Sequence, residues 1–159
     1  IASNETAGEL HDRLMHLGSE AVIETLQKIE LGNIATTLQE EKGEIKTAYK
    51  LNKENCKIEW NHSGNAIFNH IRGLCPYPAA WTYIKDGTNE WNVKLYDCAF
   101  EAAQHNFTAG QLLTTKKELK IATSDGFIKV NSLQFPGKKK MQTQELLNGI
   151  QFSVTALAF

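Results

Sequence analysis

The sequence predicts an α+β chain in which an N-terminal helical segment is followed by a small β-barrel with one or two helices. Three observations carry this expectation. Apolar residues recur at helical spacing over 6–31, and do so again over 63–74. From Ala79 onward they alternate with a period of two, the spacing of a half-buried strand.

The elements follow in order. Thr6 and Glu9 have the spacing of a capping box, in which hydroxyl and carboxylate each satisfy an end amide. Leu10, Leu14, Leu17, Val22, Leu26 and Ile29 then form one apolar stripe. Gly18-Ser19 predicts a break into two helices, glycine as stop and serine as the next N-cap, and Gly32 ends the second. Such a stripe must bury itself against a partner. With Ile1 rather than Met at the start, that partner is expected in a preceding segment. Residues 33–48, with the cluster Glu40-Glu41-Lys42-Gly43-Glu44, lack periodicity and read as a linker. The stretch Lys57–Trp60 reads as extended, and 63–74 as a helix with Ile67, Ile71 and Leu74 on one face, stopped by Pro76 and Pro78. Alternating runs at 80–84, 91–98, 110–114, 118–123 and 127–134 predict short strands, with turns at Asp86-Gly87, Lys116-Lys117 and Asp125-Gly126. Five such strands at close spacing suit an OB-type barrel, a sandwich being the alternative. Pro136-Gly137 leads into a short helix around 143–147.

Composition bounds the function. The chain has 159 residues, 42% hydrophobic and 22% charged, the mixture of a globular protein. No apolar run reaches the roughly 18–20 residues of a membrane span, and the first ten residues lack the pattern of a secretory leader, so a cytoplasmic location is expected. Cys56, Cys75 and Cys98 form no Cys-x-x-Cys pair, which predicts buried free thiols rather than a zinc knuckle or disulfide framework. His11, His16, His62, His70 and His105 are scattered, with no metal-ligand spacing. No catalytic, cofactor or metal residue is therefore assigned. Net charge is −1, but residues 1–46 carry nine acidic and four basic residues, whereas 47–159 carry nine acidic and thirteen basic. The basic half is the candidate for a polyanion.

Three stretches resemble the C-terminal region of methionyl-tRNA formyltransferases. The first is Glu5-Thr6-Ala7-Gly8-Glu9-Leu10-His11 with Leu14, Gly18 and Thr25-Leu26. The second runs from Ala48-Tyr49-Lys50-Leu51 through Glu54, Ile58-Glu59-Trp60 and Ile71-Arg72 to Pro76-Tyr77-Pro78-Ala79-Ala80. The third is Ile121-Ala122-Thr123-x-Asp125-Gly126, then Leu133-Gln134-x-x-Gly137-Lys138-Lys139-x-Met141, Leu146-Leu147 and Gly149. The resemblance implies that 1–32 are the terminal helices of a Rossmann-like formyltransferase domain, 33–48 a linker, and 49–159 an OB-like barrel domain. It further implies a monomeric parent enzyme that moves a formyl group from 10-formyltetrahydrofolate to the amino group of initiator methionyl-tRNA. The family's Asn, His and Asp centre is expected upstream, in a catalytic domain acting in cis. Asn61-His62-Ser63 has two of those residue types but sits at the start of a helix, where polar residues serve as caps.

Candidate tRNA phosphate contacts are cationic. Lys138, Lys139 and Lys140 are adjacent in a turn, where three ammonium groups can meet phosphates. Lys50, Lys53 and Lys57 are spaced to align on one or two helical turns. Arg72 can fork onto a phosphate or brace its helix. Trp60, Trp81 and Trp91 are expected to pack rather than to stack on bases. A folded tRNA is mostly duplex, so backbone contacts should outnumber base contacts. A related barrel of a formyltetrahydrofolate hydrolase or sugar-nucleotide formyltransferase, and a free-standing RNA-binding module, are the alternatives.

Overall fold

The computed structural model describes residues 1–39, 43 and 46–159. Helix α1 (Ala7–Glu30) is capped by Thr6: its hydroxyl accepts from the Glu9 amide at 3.2 Å, and the Glu9 carboxylate accepts from the Thr6 amide at 2.8 Å. The expected break at Gly18-Ser19 does not occur; α1 is one helix of 24 residues. An exposed mid-helix glycine weakens a helix by only about 1 kcal/mol. Ser19 does not cap a new helix; its hydroxyl donates back to the His16 carbonyl at 2.7 Å, a local bond that a helix interior tolerates at small cost. Of the expected linker, residues 33–39 and 46–48 carry no helix or strand, and the Glu40–Glu44 cluster lies outside the described residues except for Gly43.

After a single 3-10 turn at Glu54–Cys56, Lys57 bridges to Trp81, and a turn closed by the His62 amide on the Glu59 carbonyl leads into α2 (Gly64–Leu74), N-capped by Ser63. The strands are β1 (Ala80–Asp86), β2 (Asn89–Ala102), β3 (Leu112–Thr114), β4 (Leu119–Ala122), β5 (Gly126–Gln134), β6 (Met141–Gln142) and β7 (Leu157–Ala158), with α3 (Thr143–Leu147) after β6. They form one sheet in the order β3-β4-β5-β2-β1-β7, and β6 pairs β5. All named pairings are antiparallel.

The sheet curls until its ends approach. Strand β7 pairs β1 (Ile84 with Ala158) and bridges to Gln111 at the start of β3. The Leu112 amide donates to Ala156 at 3.0 Å and the Ala158 amide to Gly110 at 2.8 Å. This is a barrel rather than a sandwich. Its interior holds Ile84, Val93, Leu95, Ile121, Ile128, Val130 and Leu133, each 2% exposed or less, and α2 covers one end with Ile67, Ile71 and Leu74. Burying each such side chain is worth about 1.5–3 kcal/mol. The buried Trp60 indole donates to Thr82 at 2.9 Å, and Thr82 donates on to the Phe159 carbonyl at 3.1 Å, so these two buried polar side chains are matched.

Candidate nucleic-acid interface

The outer face of β1, β2 and β5 forms the candidate site, and the pleat puts it there. Ala80, Thr82 and Ile84 point into the barrel, so Trp81 and Tyr83 lie on its outer side, where Trp81 is itself covered to 8% exposure and Tyr83 is half-buried. Trp81 lies opposite Lys94, and Lys94 opposite Gln134. At Tyr96–Asp97 the register of β2 against β5 shifts twice, a bulge that leaves two successive residues on the outer side. Tyr96 thereby stands beside Gln134, to which its hydroxyl donates at 2.7 Å, and the Gln134 amide donates to the Lys138 carbonyl at 2.8 Å.

This face joins two lysine sets that are far apart in sequence. The Lys140 ammonium lies 4.9 Å from the Tyr96 ring centroid, and that of Lys53 lies 5.4 Å from the Trp81 ring. Between them, Lys94 donates to the Pro78 carbonyl at 3.3 Å. Lys57 sits 5.8 Å from the Phe159 ring, which stacks on Tyr83, and Tyr83 meets Trp81 edge-on. Each ring face holds a nearby ammonium by its quadrupole, at about 0.5–1 kcal/mol for exposed pairs.

Lys138 and Lys139 are exposed in the turn closed by the Lys138 amide on the Phe135 carbonyl, with Gly137 at φ +70°. Lys50 is exposed, its carbonyl taken by Asn55 at 2.9 Å. Helical alignment of Lys50, Lys53 and Lys57 is not what the fold uses. The helical piece there is three residues long, and aromatic rings fix Lys53 and Lys57 instead. Arg72 braces: Nε donates to Asn69 and Nη1 to the Glu5 carbonyl, both at 2.8 Å, which ties α2 to the residues before α1.

Lys94 and Tyr96 are absent from the contacts that the sequence suggests, and Tyr77 and Gln134 enter there only as part of the matched stretches. Lys94 and Tyr96 had a signal, since they alternate with the inward Val93 and Leu95. The double register shift that turns out both Tyr96 and Asp97 had none.

His105, the His62 segment and the cysteines have local explanations, whereas the buried His70 Nε2 has no hydrogen-bond partner among the described residues. The His105 Nδ1 accepts from the Phe107 amide at 3.1 Å, which leaves its proton on Nε2 to donate to the Gly126 carbonyl at 2.8 Å. At Asn61-His62-Ser63, the Ser63 hydroxyl accepts from the Ala66 amide, and the His62 carbonyl accepts from the Ser124 hydroxyl. All three cysteines are buried free thiols, and burial pushes the Cys98 thiol far above its usual range. Among the described residues, no group of His, Cys, Asp and Glu has the arrangement of a metal site, and no helix is long and apolar enough to cross a membrane.

A closed α+β barrel of OB type with a cationic, aromatic-backed outer face is the class of domain that these features define. Residues 50–151 match the family described as formyl transferase, C-terminal domain, and the chain belongs to that family. It is similar to methionyl-tRNA formyltransferases of Flavobacterium johnsoniae (57% identical over 159 residues, 100% of this chain and 50% of the relative) and Flavobacterium psychrophilum (53%, with the same coverage). That of Bacteroides fragilis is 40% identical over 158 residues, covering 96% of this chain and 49% of the relative. The chain thus spans about half the length of the curated relatives it matches. In fold it is similar to a variant of HypX from Aquifex aeolicus (TM-score 0.66, 18% identity, 96% of this chain and 28% of that one). HypX in complex with tetrahydrofolic acid gives a TM-score of 0.58 at 20% identity, over 84% of this chain and 24% of that one.

Proposed function

We propose that this chain is the tRNA-holding part of a methionyl-tRNA formyltransferase, an enzyme of translation initiation in the cytoplasm. The whole enzyme transfers a formyl group from 10-formyltetrahydrofolate to the amino group of initiator methionyl-tRNA. The carrying observation is the cationic face of β1, β2 and β5, where Lys53 and Lys140 stand over aromatic rings and Lys94 lies opposite Trp81. Identity of 57% to an enzyme of that name favours this reading over a formyltetrahydrofolate hydrolase, a sugar-nucleotide formyltransferase or a free-standing RNA module.

Labour is divided along the chain. Residues 49–159 hold the tRNA body through its phosphates, while acyl transfer and folate binding take place on the half of the enzyme that this chain does not span. Residues 1–32 close that catalytic domain, and 33–48 link it to the barrel. In support, α1 meets the barrel domain only at its first turns. There the Gly8 amide donates to the Cys75 carbonyl at 3.0 Å, while Leu14, Leu17, Val22, Leu26 and Ile29 are all more than half exposed. Lys50, Lys53, Lys57, Lys138, Lys139 and Lys140 supply the phosphate contacts, and Arg72 adds one through Nη2, which its two bracing bonds leave unused. Two measurements test the proposal. Reversing the charges of Lys138, Lys139 and Lys140 should weaken tRNA binding and flatten its salt dependence; an unchanged affinity and slope would remove the turn from the interface. The chain alone should bind tRNA in a salt-sensitive way without formylating it, and measurable turnover would overturn the division.

A further inference from the structure

A groove of about 490 Å³ opens beside the lysine face, between residues 51–56 and the Pro76-Tyr77-Pro78 turn. Trp81 forms part of its wall, and its indole N–H is already engaged by the Lys53 carbonyl at 2.7 Å. Among the described residues, Lys53 and Lys94 are its only charged lining residues. Four other cavities differ in this respect. The one near Lys116 also contains Asp97 and Glu118, the one beside His70 contains Glu54 and Glu59, the one beside His105 contains Asp125, and the one beside Arg72 contains Asp97.

At its rim stands Tyr77, 85% exposed and set between two prolines. Packing within the chain does not account for a large ring so placed. A proline on either side restricts the backbone around it, so little entropy is lost when the ring is used as a platform. Asn92 adds an amide that can read a base edge, and Lys94 keeps two N–H groups beyond the one given to Pro78.

We propose that this groove takes one unpaired nucleotide of the bound RNA, its base stacked on Tyr77 and its phosphate between the ammonium groups of Lys53 and Lys94. This rests on the reading of the domain as an RNA holder and adds a single-stranded subsite to an otherwise duplex-tracking face. Charge and shape together select the occupant, because a base has a π-face for the ring and its phosphate matches a groove bearing two cations and no carboxylate.

The test uses the intact protein, an unstructured RNA hexamer and an RNA hairpin duplex. Y77A should weaken hexamer binding about tenfold and leave duplex binding unchanged, since base stacking on an aromatic is worth about 1–3 kcal/mol, or about five- to a hundredfold. Y77F should restore hexamer binding, and neither variant should alter the salt slope, because no phosphate contact is lost. Equal losses for hexamer and duplex, or an unaltered hexamer affinity in Y77A, would overturn the subsite. That result is separable from failure of the RNA-holding reading, which would show as unchanged tRNA binding on charge reversal at Lys138–Lys140.

Discussion

Asp125 shows how one side chain of a common Asp-Gly turn fixes distant elements. Its carboxylate accepts from the Gly64 amide at 2.6 Å, across 61 residues of sequence, and from the Thr123 hydroxyl at 3.1 Å. It therefore caps the N-terminus of α2 from another strand turn, where the helix leaves amides unsatisfied and the dipole favours an anion. The neighbouring glycines make the approach possible. A Cβ on Gly64 would lie 2.0 Å from the Phe100 ring, and one on Gly126 would lie 2.2 Å from the Glu101 carbonyl. Asp125→Ala should destabilise by about 1–2 kcal/mol, read as a lower Tm, and an unchanged Tm would mean that the cap is dispensable. Glu118 gives a pH prediction. The Lys129 hydrogen bond and charge hold its carboxyl below the ordinary 4.5, so its contribution is present above that pH and fades as pH falls through the depressed value. Both partners are about a third exposed, so the effect is modest. Lys129→Met should flatten the fall in denaturant midpoint below about pH 4.5, and a curve unaltered in shape would count against the pairing.

At the scale of elements, the longest helix and the shortest strands play opposite parts. Helix α1 has 24 residues and buries none of them. Its capping box and stripe were legible because they depend on neighbours three and four residues away, whereas its continuity through Gly18 was not. Strand β7 has two residues and closes the barrel. Sequence periodicity predicts no strand here, since two alternating alanines at 156 and 158 carry too little hydrophobic signal to declare one. Its closure depends on Gly110, at φ +87°, where a Cβ would lie 2.1 Å from the Ala158 carbonyl. Gly110→Ala combines backbone strain with that clash and should destabilise by about 1–3 kcal/mol or more in a chemical-denaturation curve. Full stability in that variant would show that β7 can shift without loss.

For the whole molecule, the functional quantity is the distribution of charge, since net charge is only −1. Each lysine that neutralises a phosphate contributes about 0.9 to the slope of log affinity against log salt on duplex nucleic acid. Reversal of Lys138, Lys139 and Lys140 should therefore reduce that slope by about one for each lysine that makes a contact. A fall in affinity with no change in slope would point to an altered fold rather than lost contacts. By itself, the sequence determined the α+β order, four of the five main strands nearly to their ends, the helix over Gly64–Leu74, the buried free thiols and the lysine clusters. These follow from local periodicity, turn chemistry and composition. The tertiary structure alone decided the bulge that presents Tyr96, the closure by β7 and the meeting of Lys53, Lys94 and Lys140 on one face. Such features arise from strand register and sheet curvature, which join residues more than thirty positions apart and leave no local pattern to read.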